Sequence, residues 1–285
     1  MQSLNLLSPA KINLRLEILS KRPDNYHEIK TIFHKISIFD KIGLEKIPGN
    51  EVKLTIDDPS IPTDNTNLAV KAANLIFSYA DIKPGIKIDI KKKIPAGAGL
   101  GGGSSNAAIT LKGLNTLLNL NISEQIIAEF AVKLGADVPF FLTDASTAYA
   151  TGIGEKIKSI ETHNKLWFLV IFPGFTVSTA WAYNSINKYN LLTKRTKNNI
   201  ISDYSLDINT VKSSLYNDFE SVVNKRHTEI PKIKEQLIKT GAQGAMLSGS
   251  GSSVFGIFPD KASAKNASSN FKTDSKQKVF IAQSL

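Results

Sequence analysis

The sequence contains no cysteine among its 285 residues. Disulfide bonds, thiolate metal sites and cysteine nucleophiles are therefore excluded. Histidine is scarce as well, and no two of the four histidines stand at a spacing typical of metal ligands. The four are His27, His34, His163 and His227. The sequence thus predicts no zinc site.

Arginine is scarce too. Of the 35 basic residues only four are arginines, namely Arg15, Arg22, Arg195 and Arg226. The formal net charge of +10 raises the hypothesis of a non-enzymatic nucleic-acid binder, which would bind RNA or DNA with a steep salt dependence. Nucleic-acid readers favour the bidentate guanidinium, however, and the lysines here form no long stripe. We interpret the charge as a lysine-rich solvated surface and expect no nucleic-acid partner.

Long apolar runs are also missing. The longest aromatic-rich apolar run, Trp167–Phe172, is far too short to cross a bilayer. Residues 1–19 alternate polar and apolar side chains and lack the basic start and apolar stretch of a signal peptide. We therefore expect a cytoplasmic protein without a membrane partner.

The residues that are present predict a mixed α and β fold. The composition, 42% hydrophobic and 21% charged, is typical of a globular chain, and strand and helix patterns are interleaved. Strands are predicted at 10–18, 31–39, 86–94, 167–172 and 254–258, and helices at 67–79, after residue 105 and at 124–134. A boundary near Lys158 would divide the chain into domains 1–158 and 159–285. The polar segment 189–207 is predicted to be a surface excursion.

The most informative segment is a glycine loop, residues 95–105, between a predicted strand and a predicted helix. It has five glycines in the seven positions from Gly97 to Gly103, so many backbone N–H groups can turn toward one point. It leads into a helix N-terminus, which favours an anion, and Ser104 or Ser105 is the predicted N-cap. The loop consists of Pro95, Ala96, Gly97, Ala98, Gly99, Leu100, Gly101, Gly102, Gly103, Ser104 and Ser105.

Three interpretations of this loop compete. A flexible linker is disfavoured because linkers do not usually join a strand directly to a capped amphipathic helix. A dinucleotide site matches G-x-G-x-x-G, but a second helix follows where that fingerprint requires a strand and an acidic residue. A Walker loop is excluded because no lysine follows the glycines. What remains is a different kind of phosphate-binding loop.

In this context the loop resembles the second signature of the GHMP kinases, which are the galacto-, homoserine, mevalonate and phosphomevalonate kinases. Residues 8–14 resemble the first signature of that family, and residues 247–255 resemble the third. The three segments occur in the family's order and span nearly the whole chain. The resemblance implies an α+β, two-domain fold, with a ribosomal protein S5 domain 2-like N-terminal domain and a ferredoxin-like C-terminal domain. It also implies an ATP-dependent small-molecule kinase that uses Mg²⁺, without naming the metal's protein ligands.

Further segments resemble one branch of the family, which phosphorylates the 2-hydroxyl of a methylerythritol bearing a cytidine diphosphate group in the non-mevalonate isoprenoid pathway. They are residues 22–27, 134–140 and 216–220. Asn25 stands where the branch usually has glycine, and asparagine tolerates the left-handed backbone that such a turn requires. The alternative is a kinase of the same fold that acts on another alcohol, such as homoserine or mevalonate.

The resemblance also assigns catalytic roles. Periodicity alone favours Asp137 as a helix cap and Lys11 as a solvent-facing residue of a strand. The resemblance instead makes Asp137 the general base that takes the proton of the acceptor hydroxyl. It makes Lys11 the partner that keeps this carboxylate ionised and steadies the acceptor oxygen.

Substrate contacts follow in the same way. Asn13 lies two residues after Lys11 on the strand, so it shares that face and is expected to hydrogen-bond the substrate. Tyr26 and His27 are either surface turn residues or, as the resemblance implies, the residues that stack on and hydrogen-bond the cytidine. Tyr183 is either a second aromatic wall or part of the core. Residues 249–253 are either a plain turn or a segment beside the phosphates and the substrate.

Overall fold

The chain alternates between two structural units instead of completing one before starting the other. A computed structural model describes residues 2–161, 165–189, 191–192, 207–273 and 276–285. Unit 1 comprises Met1–Ala10, Ile38–Ala96 and Gly101–Asp144, and unit 2 comprises Lys11–Ser37, Gly97–Leu100 and Ala145–Leu285. The predicted surface excursion at 189–207 falls mostly outside the described residues. The first two strands, β1 (Ser3–Lys21) and β2 (His27–Ile47), each contribute to both units.

Unit 1 is a sheet covered by helices. Within it β4 pairs antiparallel with β2, and β3 pairs parallel with β4. The further elements of the unit are β3 (Val52–Ile56), α1 (Leu68–Ala80), β4 (Gly85–Lys91), α2 (Gly102–Leu117), α3 (Glu124–Leu134) and α4 (Val138–Leu142). A Cβ atom at Gly113 of α2 would lie 2.5 Å from Leu44 Cδ1 and 2.6 Å from Leu6 Cδ1. Glycine therefore lets α2 lie directly on the sheet that carries the glycine loop.

Unit 2 contains the remaining strands in two sheets. Its elements are β5 (Thr147–Thr151), β6 (Lys156–Ile160), β7 (Trp167–Phe172), α5 (Thr179–Lys188), α6 (Ile208–Ser214), β8 (Tyr216–Asn217), α7 (Glu220–Arg226), α8 (Glu229–Lys239), β9 (Gly244–Leu247), β10 (Val254–Phe258), α9 (Lys261–Ser268) and β11 (Lys278–Gln283). One sheet has β5 between β2 and β6 and has β8 parallel to β1. The other is antiparallel, in the order β11-β7-β10-β9, and α8 and α9 pack on it. The predicted mixture of sheets and helices is confirmed.

The first strand departs from its predicted half-burial. Residues from Ala10 to Leu14 are all buried, and so is Glu17. Both faces of this stretch are covered, so the predicted polar face does not meet solvent. Polar groups on it pair with each other instead: Lys11 Nζ donates to Asn13 Oδ1 at 2.7 Å, and Arg15 pairs with Glu17. Buried polar groups need such partners because unpaired ones cost free energy.

Membrane insertion of a helix finds no support in the described ranges, where every helix is too short or too polar to span a bilayer.

Candidate active site

The centre of the glycine loop, Gly97–Leu100, belongs to unit 2 and is held there through its backbone carbonyls. Leu100 O accepts from Lys11 N at 2.9 Å, and Ala98 O accepts from Ser253 N at 3.0 Å. Gly99 O accepts from the Ser248 hydroxyl at 2.9 Å. Because these carbonyls accept hydrogen bonds from protein donors, the backbone of the loop is fixed, unlike that of a flexible linker.

The partner of this segment is a serine loop, residues 248–253, which joins β9 to β10. It closes on itself through Ser248 N, which donates to Ser253 O at 2.9 Å. Its Gly249 has φ +56°, and a Cβ atom there would lie 3.3 Å from Gly99 O and 3.4 Å from Asn13 Oδ1. The structure therefore brings the predicted segment 249–253 together with the glycine loop and Asn13.

Residues of β8 and of the start of α7 support the serine loop, a role that the sequence did not reveal. Asn217 Nδ2 donates to Leu247 O and Gly249 O, both at 2.8 Å. Glu220 Oε1 accepts from Leu247 N at 2.9 Å, and Glu220 Oε2 pairs with Lys234 Nζ at 2.6 Å. The sequence marked residues 216–220 only by resemblance, because bonds that span about thirty residues leave no local pattern.

Gly99 is the position where a side chain is least compatible with this arrangement. A Cβ atom there would lie 2.1 Å from Ser248 O, and the residue has φ +77°. We expect Gly99→Ala to lower the free energy of unfolding by about 1–3 kcal/mol and to raise the KM for ATP, because neither backbone segment can give way. Thermal unfolding and ADP-release kinetics measure the two effects.

For the unfolding measurement alone, Gly103→Ala is the matched control, since its nearest neighbour would be Leu68 Cδ1 at 3.8 Å and it lies within α2. Alanine at this helical position should be neutral or mildly stabilising. If both substitutions lower the free energy of unfolding equally, the constraint is not specific to Gly99.

Lys11 and Asn13 lie side by side on β1, 4% and 1% exposed. Asn13 Nδ2 donates to Thr31 Oγ1 at 2.7 Å, and that hydroxyl donates to Arg15 O at 2.7 Å. The Lys11 ammonium lies 5.0 Å from the centre of the Phe33 ring. The expectation that both residues share a face of the strand is confirmed, whereas a solvent-facing Lys11 is wrong.

The predicted nucleobase residues lie at the β1–β2 turn and on α5. Asn25 has φ +68°, so the expected left-handed turn is present. His27 is 5% exposed, stacks on Tyr183 at 4.5 Å between ring centres, and bonds Asn187 Oδ1 through Nε2 at 2.8 Å. Tyr26 is 59% exposed. The structure thus brings His27 and Tyr183 together and leaves the Tyr26 ring open to solvent.

The flanks of the glycine loop belong to unit 1. The prediction that Ser104 or Ser105 is the N-cap of the following helix is wrong. Helix α2 begins after Gly101, whose φ of +69° replaces a side-chain cap. Ser105 is buried and accepts from the Ser8 hydroxyl at 2.7 Å, while Ser104 is partly exposed in the first turn. Glycine takes the N-cap position because a left-handed backbone is needed there.

A buried polar cluster fixes the approach to the loop. Asp40 is fully buried and pairs with Lys92 Nζ, and its Oδ1 accepts from Lys93 N at 2.8 Å and Ile94 N at 2.9 Å. Asn106 Nδ2 donates to Asp40 Oδ2 at 3.0 Å and to Ser8 Oγ at 2.9 Å. This Asp40 cluster ties the last residues before the loop to the first turns of α2.

Asp137 precedes α4, at the position of its N-cap. It is partly exposed and has a helical backbone, and its side chain makes no capping hydrogen bond to the described residues of α4. The expectation that Asp137 simply caps the next helical turn is therefore wrong. Helix α4 packs on α2 and α3, so the carboxylate sits on a well-supported element.

Comparison with known proteins decides the family. The model for the GHMP kinases N terminal domain matches residues 67–144, and that for the GHMP kinases C terminal region matches residues 204–276. The chain belongs to the GHMP kinases. Membership implies that this GHMP kinase uses ATP as its phosphoryl donor. The matched regions lie on either side of Lys158, and the boundary there stays a prediction.

Individual relatives of this GHMP kinase are similar over its full length. It is 41% identical to the 4-diphosphocytidyl-2-C-methyl-D-erythritol kinase of Syntrophotalea carbinolica, with 98% of each chain covered. It matches a crystal structure of 4-(cytidine 5'-diphospho)-2C-methyl-D-erythritol kinase with a TM-score of 0.79 and 29% identity over 99% of both chains. Homoserine kinase from Cytophaga hutchinsonii, at 18% identity and a TM-score of 0.74, covers 99% of this chain and 95% of its own. The last shows the shared fold alone, and the predicted two-domain α+β kinase fold is confirmed.

Proposed function

We propose that this GHMP kinase transfers the γ-phosphate of ATP to the 2-hydroxyl of 4-diphosphocytidyl-2-C-methyl-D-erythritol, a cytoplasmic step of the non-mevalonate isoprenoid pathway. The observation that supports this most is the 41% identity, over 98% of both chains, to a relative named for that substrate. The stacked His27–Tyr183 pair is a further aromatic feature that suits an acceptor with a nucleobase. We further propose a division of the domains at Lys158.

The glycine loop is proposed to bind the ATP phosphates. Its carbonyls at positions 98, 99 and 100 are bonded to protein donors, so its N–H groups are the part of the backbone that can serve an anion. The loop then enters α2, whose N-terminus carries a partial positive charge. Catalysis in this class relies on positioning and charge, with no covalent intermediate on the protein.

Asp137 is proposed as the general base. Its carboxylate takes the proton of the acceptor hydroxyl as that oxygen forms a bond to the γ-phosphorus, and the bond to the bridging oxygen of ADP breaks. Lys11 is proposed to stabilise the negative charge that develops on the acceptor oxygen. The bond from Lys11 Nζ to Asn13 Oδ1 orients this ammonium on a rigid strand.

The acceptor is proposed to place its cytidine at the β1–β2 turn. The exposed ring of Tyr26 offers a face for stacking, and the His27–Tyr183 pair offers a second aromatic surface with polar ring atoms. Asn13, held by Thr31, is proposed to hydrogen-bond the substrate beside the serine loop.

Magnesium completes the proposal. Within the described ranges, no three histidine or carboxylate side chains cluster closely enough to hold a metal by themselves. This fits Mg²⁺, which keeps several waters and binds largely through substrate phosphates. The partly exposed hydroxyl of Ser104 is a suitable protein oxygen, and the bound ion would offset the charge of the phosphates.

A panel of acceptors tests the substrate. We expect ADP release with 4-diphosphocytidyl-2-C-methyl-D-erythritol and none above background with homoserine or mevalonate. Tyr26→Ala should raise the KM for the cytidine-bearing acceptor at least about fivefold, the scale of one lost base-stacking contact, with the KM for ATP unchanged.

Tyr79→Ala is the control for that variant, since Tyr79 is a similarly exposed tyrosine, at 56%, on α1. A preference for homoserine or mevalonate would refute the proposed acceptor. An unchanged acceptor KM in Tyr26→Ala would remove Tyr26 from the nucleobase site.

A further inference from the structure

A basic cavity lies on unit 2, between α5 and α7. Its volume is about 450 Å³, within the size range of small-molecule sites. Trp181, Lys188 and Tyr189 line it from α5 and its end, and Lys225 and Arg226 line it from the last turn of α7. None of the described residues that line it is acidic. We call it the α5–α7 cavity.

In the part of the chain that the structure describes, no carboxylate pairs with the cations of this cavity, which are Lys188, Lys225 and Arg226. Two of them lie against aromatic rings: the Arg226 guanidinium lies 4.5 Å from the Trp181 ring centre, and Lys188 Nζ lies 5.7 Å from the Tyr189 ring centre. A guanidinium on an indole face still directs its N–H groups outward in the guanidinium plane, where they can donate to an anion.

The cavity lies on a different face of α5 from the proposed nucleobase residues. Trp181 and Lys188 are seven residues apart and so share a face, whereas Tyr183 is rotated from Trp181 by about 160° at 100° per residue. Tyr183 and Asn187, one turn apart, both contact His27. One helix therefore presents the nucleobase residues on one side and the basic cavity on another.

The aromatic wall of the cavity is already in place. Trp181 meets the His227 ring edge to face at 6.1 Å, and His227 stacks on Phe175 at 4.8 Å. Burial and the neighbouring Arg226 lower the pKa of His227, which favours the neutral ring that packs between Trp181 and Phe175. Trp181 is thus fixed between His227 and Arg226, and a ligand need not order it.

We propose that the α5–α7 cavity binds a small molecule carrying a diphosphate group. Three cations line this concave site, none of its described lining residues is acidic, and several adjacent negative charges on one ligand match them best. Lysine supplies point charges and arginine a planar fork, both suited to phosphate oxygens. The aromatic rings add a surface for the rest of the molecule. This site is independent of the acceptor proposed above.

Tryptophan fluorescence tests the site directly. The chain has two tryptophans, so Trp167→Phe leaves Trp181 as the single reporter. This variant is titrated with inorganic pyrophosphate while a non-hydrolysable ATP analogue saturates the glycine loop. We expect a saturable change in emission, and isothermal titration of the unmodified chain under the same conditions should give one site.

Charge variants assign the binding to the cavity. Lys225→Gln combined with Arg226→Gln should raise the Kd for pyrophosphate about tenfold or more, because two charged hydrogen-bond donors are lost. Lys188→Gln, at an exposed position, should weaken binding in the same direction without affecting the fold. The control pair Lys232→Gln and Lys265→Gln removes two exposed charges on α8 and α9 and should leave the Kd within about twofold.

Four results would overturn the proposal. They are no saturable signal at millimolar pyrophosphate with or without the ATP analogue, a signal seen only when the analogue is left out, equal weakening by the control pair, and tighter, steeply salt-dependent binding of an RNA oligonucleotide to the same residues. The first shows that there is no site, and the second assigns the ion to the nucleotide loop. The others indicate a general charge effect or a nucleic-acid surface.

Discussion

Asp137→Asn is expected to lower kcat by about two or more orders of magnitude while the KM for ATP stays within about twofold. The substitution keeps the shape of the side chain and removes the base that takes the proton, a contribution of about 10²–10⁴ in rate. Asparagine is nearly isosteric with aspartate, so the fold should be retained. Steady-state ADP release with the cytidine-bearing acceptor measures kcat, and a fluorescent ATP analogue measures nucleotide binding.

Asp144→Asn is the matched control. Asp144 is an aspartate of the same unit, its side chain is fully exposed, and its ion pair with Lys112 at 3.4 Å is on the surface. The Asp144→Asn variant should have the kcat of the wild type. If Asp137→Asn keeps wild-type kcat, Asp137 is not the base; if only the acceptor KM rises, Asp137 binds the acceptor without accepting its proton.

Asp40→Ala is expected to lower the free energy of unfolding by about 3–5 kcal/mol, the usual cost of removing one partner of a buried ion pair. The substitution leaves the Lys92 ammonium, whose side chain is 7% exposed, without its carboxylate. It also removes the acceptor of Lys93 N and Ile94 N, directly before the glycine loop. Urea unfolding measures the loss, and we expect a higher KM for ATP under conditions where the variant is folded.

Two further variants separate the causes. Asp40→Leu with Lys92→Met removes both charges and should be clearly less destabilising than Asp40→Ala, because no charge is left stranded. Glu235→Ala breaks the exposed pair with Lys239 and should leave the free energy of unfolding nearly unchanged, because solvent screens such a pair. If the double variant is as unstable as Asp40→Ala, the lost backbone acceptor, and not the buried charge, dominates.

Local patterns predicted the elements whose determinants are local. Trp167–Phe172 and Val254–Phe258 are strands with the predicted bounds, because each is a short apolar run between turn residues. Asn67 caps α1 by accepting from Ala69 N, so the helix begins at Leu68, one residue after the predicted start. Ser123 caps α3 as predicted. Caps and short buried runs depend on neighbours in sequence, which a single chain displays in full.

The prediction failed where burial is decided by distant parts of the chain. The alternation of polar and apolar residues on β1 indicated a solvent-exposed polar face. In the structure both faces are covered, and Lys11 hydrogen-bonds Asn13. The serines of the glycine loop looked like caps, yet the backbone at Gly101 makes a cap unnecessary. Neither outcome is visible in a window of ten residues.

The candidate site divides in the same way. The glycine loop could be found from its composition, because only a glycine-rich stretch presents so many amides. The catalytic roles of Lys11 and Asp137 are proposed only through resemblance, since periodicity favoured a solvent-facing strand residue and a helix cap. Asp40 and Asn217, which hold the two loops in shape, were missed, because their partners lie tens of residues away and no local pattern records them.

The interleaving of the two units limits how the gene can be cut or recombined. A fragment that ends at Asp144 would carry residues 11–37 and 97–100 without the remainder of their unit. A fragment that begins at Ala145 would lack residues 31–34, which pair with β5, and Arg15 and Leu16, which pair with β8. Neither half is a self-contained folding module, so chimaeras with related kinases would need several coordinated crossover points along the chain.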